Sequence, residues 1–181
     1  PISANTMKYL LGNLPFTTHL INAYQETKYW AAYTNSSKTT FNGNNGGSLR
    51  GKFAWADRST DQQTNLVYGT GYAKVLMWNL KGDAIVTLDY QPLGKDSIAY
   101  DIVCYAFPSG SILNGIMEMS MFRNVVLDKI NEIIQDIQSS AHRFAAGERE
   151  PIKNYAQLKT SQYRFYLKEF EETLKSIAPS E

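Results

Sequence analysis

An apolar repeat from Gly115 to about Ala146 constrains the fold of this chain more than any other stretch. Its apolar residues recur three or four positions apart, as one face of an α-helix requires. They are Met119, Phe122, Val126, Ile130, Ile133, Ile134 and Ile137. At 1.5 Å per residue such a helix is roughly 40 Å long, more than one layer of a small domain needs. We therefore expect it to lie across a sheet, with residues 116–130 facing that sheet.

The segment before this helix alternates in polarity with a period of two, which is typical of half-buried strands. The predicted strands are residues 49–56, 66–80, 84–90 and 98–107, with turns at 81–83 and 92–96. Short turns between consecutive strands indicate an antiparallel meander. The longest candidate, 66–80, carries Gly69, Gly71 and Ala73 on one parity, which favours a bend or the close approach of another element.

Helices are predicted on both sides of the strands. Apolar spacing indicates an N-terminal helix over residues 16–33 and a further helix over 154–177. The Asn- and Gly-rich run 42–48 is typical of a hairpin turn, because both residue types tolerate positive φ. The predicted class is α+β: an N-terminal helix, a curved antiparallel meander, and a long C-terminal helix packed across the sheet. Residues 1–181 form one domain, with 151–181 as a candidate appended helix.

Composition excludes several classes of protein. The chain has 181 residues and a net charge of +1, so the broad positive field of a nucleic-acid-binding protein is not expected. Its apolar runs are far shorter than the 18 or so residues of a membrane span. A single cysteine builds neither a disulfide framework nor a cysteine-based zinc site. The Tyr, Asn, Ser and Thr content favours an extracytoplasmic bacterial protein, periplasmic or exported. The chain begins at Pro1 without an initiator Met, so we expect that an upstream segment was removed, either by the cell or by experimental design, and the sequence does not distinguish the two.

Catalytic residues are sparse. His19 and His142, the two histidines, fall on different predicted helices, and neither a metal-binding HExxH nor a Gly-x-Ser-x-Gly motif is present. Cys104 lies in an apolar run and is predicted to be a small buried residue. Asp101, among apolar neighbours, is the carboxylate whose burial would point to chemistry. We predict no catalytic residue, no metal site and no cofactor.

Aromatic residues are the stronger functional feature, with 12 Tyr, 8 Phe and 3 Trp. Amphipathic rings on a sheet suit an apolar cavity in which a few hydroxyl groups orient a ligand. The predicted ligand-binding residues are Tyr68, Tyr72, Trp78, Tyr90 and Tyr100 on strands, with Met119 and Phe122 from the long helix. The alternative is that these rings belong to an ordinary core and its rim.

The order of elements over residues 16–146 resembles the helix-grip arrangement of START and Bet v1-like domains, in which a curved antiparallel sheet wraps a long C-terminal helix. The helix after Pro151 is an addition to that arrangement. The resemblance is one of element order, so it transfers no functional residue. It implies a hydrophobic cavity between sheet and helix that binds lipid-like or polyketide-like molecules.

Three functions are consistent with these patterns. The first is a non-enzymatic module that binds a hydrophobic small molecule in a cavity above roughly 300 Å³ between sheet and helix. The second is a structural or protein-interaction domain that uses residues 151–181 to contact a partner or to form a homodimer. The third is a small-molecule enzyme, for which a buried Asp101 beside a tyrosine would be the first indication.

Overall fold

A computed structural model describes residues 2–58, 63–75, 78–94, 97–109 and 115–175. The helices are α1 (Ala4–Gly12), α2 (Leu14–Gln25), α3 (Gly115–Ala145), α4 (Glu150–Asn154) and α5 (Ser161–Lys175), with a short 3-10 helix at Ala156–Lys159. The strands are β1 (Trp30–Tyr33), β2 (Thr40–Asn44), β3 (Leu49–Arg58), β4 (Thr64–Val75), β5 (Trp78–Pro92) and β6 (Ile98–Pro108).

The strands form one open antiparallel sheet in the order β1-β2-β3-β4-β5-β6. Each strand therefore pairs with its neighbours in sequence, which is the meander that short connections predict. The N-terminal helix pair precedes this sheet, and the long helix α3 packs against it. The predicted α+β class is confirmed.

The sheet has two faces of different composition. The face toward α2 and α3, called here the inner face, carries small and apolar side chains, among them Val67, Ala73, Val86 and Ala106. The opposite, outer face carries the alternate residues of the same strands, as the period of two requires. Several of its rings are exposed to solvent, namely Tyr68, Tyr72, Tyr105 and Phe107.

The main core lies where the helices cover one end of the inner face. Ser3 caps the N-terminus of helix α1. Its hydroxyl oxygen accepts a hydrogen bond from the Thr6 N–H at 3.1 Å, an N–H that has no partner within the helix. Pro15 stands in the first turn of α2, where its missing N–H costs nothing. Phe16 and Phe170 are buried against each other's ring edges, which joins α2 to α5.

The predicted strand at 66–80 is wrong in its extent. Two strands occupy this stretch: β4 ends at Val75, β5 begins at Trp78, and these two residues pair with each other. The predicted turn at 81–83 lies instead inside β5, where Gly82 pairs with Gly71 on one side and Pro108 on the other. Pairing on both sides outweighs the local turn preference of a Gly-Asp sequence. The sequence between Val75 and Trp78 contains no Gly, Pro, Asn or Asp that would have indicated this boundary.

The N-terminal helix prediction is also too long. Helix α2 ends at Gln25, with Glu26 in the left-handed region at φ 55°, and residues 30–33 form β1 rather than helix. Strand β2, at 40–44, was not predicted, because its Asn and Gly residues are poor strand formers. The hairpin prediction is confirmed: the Asn45 side-chain oxygen accepts hydrogen bonds from the N–H groups of Ser48 and Leu49 at 3.0 and 2.8 Å.

The long helix predicted from the apolar repeat is confirmed as α3, 31 residues from Gly115 to Ala145. Phe122, Val126, Ile134 and Ile137 of the predicted stripe are buried. The second C-terminal helix is divided into α4, the 3-10 helix and α5, since a break at Tyr155 and another at Thr160 adopt extended backbone. In the described part of the chain, no helix combines the length and the apolarity that crossing a membrane would require.

Candidate ligand-binding cavity

A cavity of about 210 Å³ lies between the inner face of the sheet and the helices α2 and α3, and it is partly open to solvent. Strands β1 to β5 all contribute to its wall. The volume is smaller than the sequence-based expectation and below the roughly 300 Å³ at which ligand pockets usually begin. An apolar cavity of about 150 Å³ is still large enough to bind benzene in another protein. The space therefore fits a small apolar molecule rather than a long lipid.

Glycines on the inner face allow large rings to lie against the sheet. A Cβ atom at Gly69 would be 2.7 Å from Cδ1 of the Phe53 ring, and one at Gly82 would be 2.9 Å from Cζ of Phe122. Both distances are shorter than carbon atoms tolerate. The rings of Phe53 and Phe122 thus occupy the positions that side chains at residues 69 and 82 would fill. Gly69, Gly71 and Ala73 are called here the small-residue strip. The close approach of another element predicted for this strip is confirmed at Gly69 by the ring of Phe53.

Helices α2 and α3 form the opposite wall. Helix α3 contributes a row of branched aliphatic residues, Ile130, Ile133, Ile134 and Ile137, and α2 contributes Thr17 and Ile21. The helix wall is anchored to the sheet side by Tyr29, which lines the cavity and whose hydroxyl group donates a hydrogen bond to Asp136 Oδ2 at 2.7 Å. Burial raises the pKa of Tyr29, so its hydroxyl stays protonated and remains a donor.

Of the predicted ligand-binding residues, Phe122 lines the cavity from the helix side. Tyr72 is also among the residues at its wall, although Tyr72 belongs to the outer-face parity of β4 and is 39% exposed. Tyr68 and Met119 do not line it and are 43% and 46% exposed. Tyr90 and Tyr100 belong to the main core, where Tyr90 is fully buried and Tyr100 packs against it. Trp78 begins β5, and the placement of its side chain lies outside the described residues.

The residues that sequence reasoning missed share the parity of the small-residue strip. Phe53, Trp55, Val67 and Ala84 all line the cavity from the inner face. In the sequence, Phe53 and Trp55 alternate in step with Leu49 and Gly51, and a face with small residues is the one a helix can approach. The alternation with Leu49 and Gly51 could therefore have identified Phe53 and Trp55 as inner-face residues. The prediction instead chose aromatic residues of the longest predicted strand, and Tyr68 and Tyr72 lie on its outer face.

Buried polar groups lie beside Trp55, one of the residues that line the cavity. The Arg58 guanidinium lies 4.5 Å from the centre of the Trp55 ring, and its Nε donates a hydrogen bond to Asn65 Oδ1 at 3.1 Å. Burial lowers the pKa of Arg58. Neither Trp55 Nε1 nor Arg58 Nη2 has a hydrogen-bond partner among the described residues, and both atoms are shielded from solvent. The surface of the cavity itself is almost entirely apolar.

The candidates for chemistry are scattered. Cys104 is buried as predicted, and burial raises the pKa of its thiol to about 11. Asp101 is exposed on the outer face, so the buried carboxylate that would indicate an enzyme is not found at that position. His19 is half-buried against the Tyr163 ring, 4.7 Å between centres. Among the described residues no group of three or more His, Cys, Asp or Glu side chains is arranged to hold a metal ion.

Residues 151–175 contribute to the core. Leu158 and Phe170 are buried in the same cluster as α1 and α2, and the Tyr9 hydroxyl donates a hydrogen bond to the Tyr166 carbonyl at 2.8 Å. These contacts attach α5 firmly to α1. A protein partner or a homodimer contact through residues 151–181 stays a prediction.

Comparison with known proteins brings no relative. The chain has no significant match among protein-family models, curated proteins or solved structures. The helix-grip resemblance accordingly stays an analogy of element order.

Proposed function

We propose that this protein is a non-enzymatic binding module that holds a small hydrophobic molecule between the inner face of the sheet and the helices α2 and α3. The observation that carries the proposal is the apolar cavity of about 210 Å³. Protein interiors are close-packed, and a void of this size leaves its lining side chains without contacts on one side. A ligand that fills the space restores those contacts.

The lining specifies the chemistry of the ligand. Its walls are mainly aromatic and branched aliphatic side chains such as Phe53, Val67 and Ile134. The one charged residue among the described lining residues, Arg50, is exposed to solvent, so the enclosed part of the cavity holds no charge. A charged group placed there would lose its hydration without gaining a partner. The ligand is therefore neutral and mainly apolar, a single substituted ring or a short branched chain somewhat larger than benzene.

The proposal is tested by a ligand series on the full chain. Toluene, indole, naphthalene and hexanol are added in turn, and the midpoint of thermal unfolding is measured for each. A ligand at about 100 times its Kd stabilises the folded state by about 2.7 kcal/mol, which is easily seen as a rise in Tm. Solvent extraction of freshly purified protein followed by mass spectrometry shows whether such a molecule co-purifies.

A matched pair of variants locates the binding site. Val67→Phe adds a ring on the inner face and fills the cavity, whereas Leu66→Phe adds the same ring to the outer face one residue earlier. We expect Val67→Phe to abolish the ligand-dependent rise in Tm and Leu66→Phe to retain it. The proposal is wrong if no member of the series raises Tm, or if both variants respond to ligand as the unmodified protein does.

A further inference from the structure

The last strand of the sheet, β6, has an open edge. It pairs with β5 along all 11 of its residues, and no other described strand lies on its far side. The pairing is regular, without the register shift that interrupts β3 between Trp55 and Asp57. An edge of this kind presents a row of free N–H and C=O groups to any other strand.

Soluble proteins usually protect such an edge with short strands, bulges, prolines or lysines. The other edge of this sheet follows that pattern, because β1 has only 4 residues. Strand β6 has no lysine, no bulge and no proline before its last residue, Pro108. Its one charged residue is Asp101. The two edges therefore differ, and β6 has the features of a strand that pairs with another chain.

The outer face of β6 is apolar and exposed from residue 103 to residue 107. Val103, Tyr105 and Phe107 point outward from β6 and are 39%, 59% and 50% exposed. Tyr68 and Ile85 continue the row inward, since Tyr68 pairs with Ile85 and Ile85 with Tyr105. Contiguous exposed apolar residues on a soluble domain commonly mark an interaction surface.

We propose that two copies of this chain form a twofold dimer in which their β6 strands pair antiparallel, with Val103 facing Val103 of the second copy. This register is centred on the strand, so all 11 residues of β6 are paired. The two six-stranded sheets become one continuous sheet of both copies. An isologous contact of this kind needs a surface that is complementary to itself.

The sequence of β6 meets that requirement in this register. On the outer face, Asp101 lies opposite Tyr105 of the second copy, where a phenol hydroxyl can donate to the carboxylate, and no like charges face each other. Large residues face small ones: Phe107 lies opposite Ala99 of the second copy, and Tyr100 opposite Ala106 of the second copy. A register centred on Asp101 would instead place the two carboxylates in contact. A second copy thus fits this edge in charge and in size.

The first test measures the oligomeric state of the full chain by sedimentation velocity, from about 1 to 100 µM. We expect a dimer for the unmodified protein. Val103→Lys places two lysines opposite each other and should raise the dimer dissociation constant by about tenfold or more. Tyr68→Lys, on the same face but two strands from the edge, should leave the dimer intact. Circular dichroism checks that each variant is folded.

Three results would overturn the proposal. One is a monomer at every concentration, and another is a Val103→Lys variant that dimerises as the unmodified protein does. The third is dissociation by Tyr68→Lys, which would indicate stacking of the outer faces instead of pairing of the edges.

A second measurement tests the register and does not depend on the lysine variant. In a Cys104→Ala background, Val103→Cys brings two thiols together across the twofold axis, within the Cα separation of about 4.5 to 5.5 Å that antiparallel pairs have. We expect rapid disulfide cross-linking between copies under mild oxidation. Asp101→Cys in the same background should cross-link poorly, because its two copies are separated by roughly 13 Å along the strands. Equal cross-linking of the two variants, or none with Val103→Cys, contradicts the proposed register.

Discussion

The two faces of strand β4 alternate within the same 12 residues and differ completely in what they carry. Its inner face presents Val67, Gly69, Gly71 and Ala73, and its outer face presents Tyr68, Thr70, Tyr72 and Lys74. The aromatic side chains of β4 lie on the outer face, while the helices and the cavity lie on the inner one. Small residues therefore leave space under a helix, and rings alone do not indicate which face carries the cavity.

The physical reason lies in the space between a sheet and a helix. Rings from neighbouring elements, Phe53 from β3 and Phe122 from α3, come to lie over Gly69 and Gly82. If every strand also carried a ring on this face, the layers could not approach each other. The outer face has no covering layer among the described residues, so no packed layer limits the number or size of the rings there.

Removing a ring that packs against the inner face should have the largest effect on stability. Phe122→Ala removes a side chain that is 3% exposed, and we expect it to lower the free energy of unfolding by about 3 kcal/mol or more. Tyr68→Ala on the outer face should cost about 1 kcal/mol or less. Urea denaturation followed by fluorescence measures both values. Similar losses for the two variants would contradict the assignment of the faces.

Thiol reactivity should differ between the faces as well. The pKa of Cys104 is about 11 because the thiol is buried on the inner face. A cysteine introduced on the outer face by Lys74→Cys, in a Cys104→Ala background, should have an ordinary pKa near 8.5. At about pH 8, an aromatic disulfide reagent should therefore modify Cys104 about 100-fold more slowly than the introduced cysteine. Comparable rates would mean that the inner face opens readily to solvent.

Adding one methyl group should distinguish a glycine under a ring from a glycine in open space. Gly69→Ala would place Cβ 2.7 Å from Phe53, and we expect a loss of about 1 to 3 kcal/mol in the free energy of unfolding. Gly47→Ala meets no atom within 4 Å and should change it by about 0.5 kcal/mol at most. Guanidinium denaturation of the two variants is the measurement. A tolerated Gly69→Ala would show that Phe53 can move away from the strip.

The smallest effect on stability is expected from pH and depends on His19. Burial lowers the pKa of His19, so the folded protein favours the neutral ring and the unfolded chain binds the proton more readily. Stability should be complete above the unfolded pKa of about 6.5 and should decrease as the pH falls through it. His19→Gln should reduce this slope. Thermal unfolding between about pH 8 and 5.5 tests it; an unchanged slope for His19→Gln would contradict the assignment.

Much of the fold could be predicted because local patterns and tertiary packing agree there. The stripe of α3 is regular over 31 residues, and its apolar positions meet the sheet as the period of 3.6 requires. Consecutive strands with short connections leave an antiparallel meander as the simplest topology. The hairpin at 45–48 follows from residues whose side chains and backbone favour that turn.

The errors occur where partners on both sides override a local preference. Lys81-Gly82-Asp83 has the composition of a turn, but Gly82 is held between β4 and β6 beneath the ring of Phe122. Residues 30–33 continue a helical stripe in sequence, yet they pair with β2 in the structure. Intrinsic preferences of this size are smaller than the gain from completing a sheet.

The sequence by itself determined the class of the fold, the long helix, the meander and the buried character of Cys104, because each depends on a periodicity that a single chain carries. Only the tertiary structure decided which parity of each strand faces the helices, how large a space remains beneath them and that β6 lies at an open edge. Those properties depend on the distance between layers and on the order of strands, which are set by contacts between residues far apart in the chain.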